Sequence, residues 1–171
     1  MAENIEPKEM SNEQVFLHKG FATLKLKDAW LSLTAVELCG KCIAHKTVTP
    51  ALIRDAVVQY GSTFKFANIN RKQKHKLDDS IIPKEYQSLH RQMIKYRDQI
   101  YAHIDFEARN PVKVKDEKNI SYKISDSSLQ DCINNIPTMK ALILHILQKL
   151  GNELIDEHQR MLHNEFDDKI I

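Results

Sequence analysis

The chain has 171 residues, 28% of them charged and 42% hydrophobic, with a formal net charge of +2. Those values fit one soluble domain large enough to bury a core. The small net charge excludes a polyanionic partner held by bulk charge alone, so nucleic-acid binding must come from local clustering. Only 4 Gly and 5 Pro leave few turn signals, which favours long helices with short connections.

Residues 1–10 are polar and acidic at their start, without the basic-then-apolar order of a signal peptide. They read as a disordered leader, with 11–171 as one domain. From Ser11, apolar residues (Val15, Phe16, Phe21, Leu24, Leu26, Trp30, Leu31, Leu33, Val36, Leu38, Ile43) recur at mostly helical spacing, giving one or two helices that end near His45. Thr49-Pro50 is an N-cap and first-turn signal. The helix it opens carries Leu52, Ile53, Ala56, Val57, Tyr60 and Phe64 on one side. Gly61 inside it costs about 1 kcal/mol against alanine, which points to close packing or a kink.

Asn68 to Asp79 reads as a basic connection holding Arg71, Lys72, Lys74, His75 and Lys76. Ile82-Pro83 restarts the chain into a helix with the apolar stripe Tyr86, Leu89, Met93, Tyr96, Ile100 and Ile104, which Asn110-Pro111 ends. Alternation around Asp116-Glu117-Lys118-Asn119 predicts a small β-hairpin near 112–124. Ser125 to Ser128 can cap a final helix, interrupted by Pro137, with Met139, Leu142, Ile143, Ile146, Leu147, Leu150 and Leu154 as its apolar positions. The fold class expected is all-α: an up-and-down bundle of about four to five helices with one hairpin insertion.

No apolar run reaches the ~18–20 residues of a membrane span; Met139 to Leu150 is too short and contains Lys140 and His145. Three cysteines without an export signal read as reduced thiols, and the cytoplasm is the expected location.

The most informative stretch is Tyr96-Arg97-Asp98-Gln99-Ile100-Tyr101-Ala102-His103-Ile104-Asp105. At about 100° per residue, Arg97 and His103 flank Ile100 by about 60° on either side. A second helix laid on the stripe would have arginine on one shoulder and histidine on the other. The spacing alone is weak, with roughly one Arg-x(4–6)-His match expected by chance in such a chain. Its context is stronger: an acidic residue follows the arginine, Tyr-Ala precedes the histidine, and the whole lies late in a helix.

In these residues the sequence resembles the HEPN superfamily, and most of all its small prokaryotic members linked to abortive infection and toxin–antitoxin systems. The likeness takes in Ile82 to His90 and, more loosely, Trp30 to Phe66; only Arg97–His103 is specific. The resemblance implies a HEPN-like bundle and a homodimer whose third helices bring two Arg/His pairs to one cleft. It further implies a metal-independent endoribonuclease without cofactor, acting on RNA as a toxin or antiphage-defence effector, with a possible antitoxin protein as partner. In that scheme His103 is general base or acid and Arg97 clamps the phosphate.

The chemistry is consistent with those residue types. Attack by the RNA's own 2′-hydroxyl needs a group to take its proton and a cation to hold the phosphorane's added charge. Imidazole titrates near about pH 6.5 and guanidinium presents a planar fork to phosphate oxygens. Asp98 can position Arg97 or cap a helix of the partner, Gln99 can hydrogen-bond His103, and Tyr101 can stack on a base. Asp105, about 200° around the helix from His103, is badly placed to orient it.

Two other readings stay open: Arg97 and His103 as solvated edges of an amphipathic helix, or a catalytically silent HEPN-like module that docks a protein or nucleotide. Arg71, Lys72, Lys74 and Lys76 can grip an RNA backbone or form a solvated loop. Tyr86 and Tyr96 fit the core stripe better than a base-stacking role. Cys39-Gly40-Lys41-Cys42 with His45 lacks the further ligands of a zinc site, so packing is the better reading; no metal site is expected. His145, between Leu144 and Ile146, reads as a core histidine; His158 and His163, near Asp156 and Glu157, can bind a metal weakly, but a charged tail explains them as well.

Overall fold

The computed structural model describes residues 11–39, 45–65, 67–69, 73–98, 111–115, 120–124 and 127–167. The expected leader, residues 1–10, lies outside them. Four helices dominate: α1 (Asn12–Cys39), α2 (His45–Thr63), α3 (Gln87–Tyr96) and α4 (Ser127–Asp167). Two small antiparallel strand pairs join them, β1 (Ala67–Ile69) with β2 (Gln73–His75), and β3 (Pro111–Lys115) with β4 (Ile120–Ile124). In the second pair Val112 stands opposite Lys123 and Val114 opposite Ser121.

One continuous helix, α1, starts on a reciprocal cap. The Ser11 hydroxyl accepts from the Gln14 N–H at 3.3 Å, and the Gln14 side-chain oxygen accepts from the Ser11 N–H at 3.1 Å. Two orphan donors of the first turn are thereby satisfied. Ala22, Leu26, Ala29, Leu33 and Val36 fall on one side at three- and four-residue spacing and are buried. They meet Ile53, Ala56, Val57 and Tyr60 of α2 and Met139, Leu142, Ile143, Ile146 and Leu150 of α4 in one core. Each fully buried Leu or Ile there contributes about 1.5–3 kcal/mol.

Ion pairs fix the helix directions. Lys140 meets Glu37 near one end of α1, while Lys19 meets Glu153 and Glu157 near the other, so α1 and α4 run antiparallel. The Lys140 ammonium also lies 4.8 Å from the centre of the Trp30 ring, adding a cation–π contact to the same seam. Ser32 bonds Asp55, and Ser62 and Thr63 lie by Leu17 and Phe21, so α2 is antiparallel to α1 as well.

Several expectations need correction. The Thr49-Pro50 start is overturned: α2 begins about a turn earlier, at His45, with Pro50 inside it. Thr49 is buried, and its hydroxyl has no hydrogen-bond partner among the described residues, so it caps nothing. Pro137 does not interrupt α4, which runs through it for 41 residues. Its ring is exposed, on a side where water can serve the carbonyl that lacks an N–H. His145 is exposed, because Leu142, Ile143 and Ile146 already fill the inward face.

The basic connection after α2 is more ordered than a solvated loop. Ala67 pairs with His75 and Ile69 with Gln73, and the Leu77 N–H donates to the Thr63 carbonyl at 2.9 Å. Buried Leu77, Ile81 and Ile82 anchor the two short 3₁₀ turns that lead into α3. No helix of the described residues is long and apolar enough to cross a membrane.

Candidate functional site

The end of α3 lies across the end of α2, and Gly61 is the reason it can. A Cβ added to Gly61 would stand 2.8 Å from Arg97 Cγ and 2.9 Å from Arg97 Cβ, closer than carbon atoms tolerate. The aliphatic stem of Arg97 therefore rests on bare helix backbone. The Arg97 N–H is shared between the Met93 and Ile94 carbonyls, and the winding widens to the π type at Arg97 and Asp98. Such widened turns are frequent at functional sites, because they re-aim side chains.

Three charges meet there. Arg97 Nη1 donates to Asp98 Oδ1 at 2.8 Å, and Lys65 Nζ lies 2.6 Å from Asp98 Oδ2. Partial burial alone would raise the Asp98 carboxyl, but hydrogen bonds from Lys65 and Arg97 outweigh it and hold the group below the usual carboxylate range. Arg97 Nε is buried without a hydrogen-bond partner among the described residues. The cluster has two cations for one carboxylate, so its charge suits an anion.

Lys65 also stands at the edge of a cavity of about 210 Å³, with Lys76 and Arg91 on its rim and Phe64 and Ile94 behind them. His90 and Asp79 complete its lining. His90 is buried, with Nδ1 2.8 Å from the Tyr60 hydroxyl and its ring edge-on to Phe64 at 4.6 Å. Asp79 Oδ1 is 3.8 Å from Nε2, too far for a hydrogen bond. Burial pushes the His90 pKa down, against the opposing pull of Asp79. Burial likewise raises the Tyr60 hydroxyl, and Asp79 adds to that. A neutral imidazole accepting at Nδ1 from the Tyr60 hydroxyl satisfies both groups. This pair reads as a core lock that presents one edge to a cationic groove.

Tyr96 does a different job. Its hydroxyl donates to Asp131 at 2.7 Å and accepts from Gln92 at 2.7 Å, clasping α3 to α4. Burial first, then the bond to Asp131, push its pKa up to about 12. Tyr86 is half-buried against the core.

Of the residues the sequence nominates, Arg97 and Asp98 are brought together, and Lys76 faces the groove beside Lys65 and Arg91. His103, Gln99, Tyr101, Arg71 and Lys72 lie outside the described residues; Lys74 is placed only as a backbone position of β2, opposite Asn68. Sequence reasoning missed Lys65, Arg91, His90 and Asp79. The one available signal was positional: His90 lies seven residues, nearly two turns, before Arg97 on the same helical run.

Among the described residues no group of three or more His, Cys, Asp or Glu side chains gathers as a metal site. Cys39 is half-buried and Cys132 buried, and the side chains of Cys42 and His45 lie outside the described residues. No protein-family model, no curated protein and no solved structure matches this chain.

Proposed function

We propose that the chain is a metal-independent endoribonuclease of HEPN type, a toxin or antiphage-defence effector that works as a homodimer and is held in check by an antitoxin protein. The observation that carries the reading is the seat of Arg97: stem pinned on Gly61, head shared with Asp98, beside a groove rimmed by Lys65, Lys76 and Arg91. A guanidinium held in this way is pre-oriented for a phosphodiester, and the neighbouring cations extend the grip along the backbone.

In this mechanism Arg97 holds the scissile phosphate and stabilises charge as the 2′-hydroxyl attacks. His103 takes the hydroxyl proton or supplies one to the leaving 5′-oxygen. The products are a 2′,3′-cyclic phosphate and a 5′-hydroxyl. Acid–base and electrostatic roles of this kind each contribute about 10²–10⁴ in rate. We read β3 and β4 as a hairpin excursion from the bundle.

The test is cleavage of RNA by purified protein in EDTA, beside Arg97→Ala and His103→Ala. Wild type should cut, both variants should lose at least about 100-fold, and the ends should be those named above. Equal cutting by all three, or none by wild type, removes the proposal. A second reading, a catalytically silent module docking a protein or nucleotide, is favoured by the half-buried Arg97–Asp98–Lys65 cluster acting purely as a helix clamp. It predicts nucleotide or partner affinity that survives His103→Ala, with no cleavage by any form.

A further inference from the structure

The groove of about 210 Å³ is built where the end of α2, the stretch after β2 and the middle of α3 meet, and its rim and floor differ in character. On the rim Lys65, Lys76 and Arg91 face one carboxylate, Asp79. Counted with the adjoining Arg97–Asp98 pair, four cations meet two carboxylates, which leaves a surplus of two positive charges.

The floor is a buried histidine. The His90 side chain is only 8% exposed. Its Nδ1 lies 2.8 Å from the Tyr60 hydroxyl, which burial and Asp79 keep protonated. Tyr60 donates, Nδ1 accepts, and the proton of the neutral imidazole therefore sits on Nε2. That edge of the ring is the one beside Asp79, a fellow lining residue, whose Oδ1 at 3.8 Å is too far to accept. A ligand oxygen in the groove can take that hydrogen bond.

We propose that this groove is a binding site for a phosphomonoester, with Lys65, Lys76 and Arg91 around its oxygens and His90 Nε2 donating from the floor. Such a group carries about −1.5 to −2 charges near pH 7 and three strong acceptor oxygens, which matches the surplus. A backbone diester brings a single charge and leaves the surplus half unmet. The cavity is smaller than the roughly 300–1,000 Å³ that encloses a drug-sized ligand. It has room for the phosphate and the first atoms of its ester, against Phe64 and Ile94, rather than for a whole nucleotide. Any base stays outside and unread.

Two effects follow from occupancy. Lys65 lines the groove while its ammonium lies 2.6 Å from Asp98 Oδ2, so a bound phosphate competes with Asp98 for it. Burial holds the His90 pKa down, Asp79 opposes it, and Arg91 and Lys76 add to burial. A bound dianion joins Asp79 and pulls the pKa back up. The site goes beyond the nuclease reading and does not rest on it, since a sugar phosphate and a 5′-phosphorylated RNA end offer the same group.

The experiment is calorimetric titration of the full chain with ribose 5-phosphate, beside the diester dimethyl phosphate. The monoester should bind at least about tenfold more tightly, or 1.4 kcal/mol, and the His90 imidazole followed by NMR should titrate at higher pH with it bound. Arg91→Ala, at an exposed position, should weaken binding by at least about tenfold with helix content unchanged in circular dichroism. A 2′-O-methyl oligonucleotide with and without a 5′-phosphate then identifies the source. Preference for the phosphorylated form names an RNA end; ribose 5-phosphate bound at least as tightly as that form names a small sugar phosphate, and both support the site. Phosphomonoesters bound no better than their diester or hydroxyl counterparts overturn the proposal, as does binding unmoved by Arg91→Ala. None of these ligands can be cut by 2′-hydroxyl attack on a neighbouring phosphate, so the result is independent of nuclease activity.

Discussion

Two charged clusters hold this molecule together, and they are mirror images in balance. At the α1–α4 seam one cation, Lys19, serves two carboxylates, Glu153 at 3.1 Å and Glu157 at 3.4 Å. At the α2–α3 end one carboxylate, Asp98, serves two cations. In the first, desolvation lowers the lysine pKa, but hydrogen bonds and charge from Glu153 and Glu157 outweigh it and leave the group raised. The second has a cation to spare. The first cluster is left with an excess of negative charge and the second with an excess of positive charge, beside a groove that also carries Lys76 and Arg91. On the proposed function, only the second suits an anion.

The sharpest way to break that contrast is Gly61→Ala. In an exposed helix this change gains about 1 kcal/mol. Here the new Cβ meets the Arg97 stem, so a net loss of about 1–3 kcal/mol is expected in chemical denaturation, together with weaker RNA binding. A gain in stability would show that Arg97 moves freely and has no fixed seat. Next is Tyr60→Phe, which leaves Nδ1 of buried His90 without its donor and should cost about 1–3 kcal/mol.

The same histidine predicts a pH effect. Its pKa is depressed in the fold, so the unfolded chain binds the extra proton first. The stability it contributes is complete above about pH 6.5 and declines as pH falls from there toward the folded value. His90→Gln should flatten that slope between neutral and mildly acidic pH; an unchanged slope would place its origin elsewhere.

Smaller effects separate the clusters directly. Asp98→Asn should change stability by no more than about 1 kcal/mol, because the group is about a third exposed. It should nevertheless tighten RNA binding and steepen its salt dependence as the cationic surplus grows. Glu153→Gln should shift stability by about 0.5 kcal/mol and leave RNA affinity unchanged. Equal effects of both changes on RNA would dissolve the distinction.

Much of the bundle was legible because apolar spacing reports helices directly. Leu26, Leu33 and Val36 declare α1, though Phe21, Leu24, Leu31 and Leu38 in the same pattern face away from the core, and Ile53, Ala56, Val57 and Tyr60 declare α2. Periodicity could not say which side of α1 is covered, since Leu17, Leu24 and Leu31 give an equally good stripe; only the packing of α2 and α4 decides. Thr49-Pro50 and Pro137 misled as boundary signals because proline is tolerated where its missing N–H lies near a helix start or faces water. Arg97 and Asp98 were readable as neighbours in the chain. Lys65, Lys76 and Arg91 were not readable as one rim, because three separate segments bring them together. Gly61 announced a close approach without naming what approaches it.

Pro137 has a mechanical consequence. Before it, α4 packs on α3 through Asp131, Cys132 and Asn135; after it, the same helix packs on α1 through Lys140 and Glu153. The missing rung therefore falls where the rod changes neighbours, and that is where it flexes most cheaply. Leverage applied to the first third of α4 reaches Arg97 through the Tyr96 clasp, while the seam with α1 stays still. Pro137→Ala should stiffen that joint, slowing amide hydrogen exchange around Ile133 more than around Ile146.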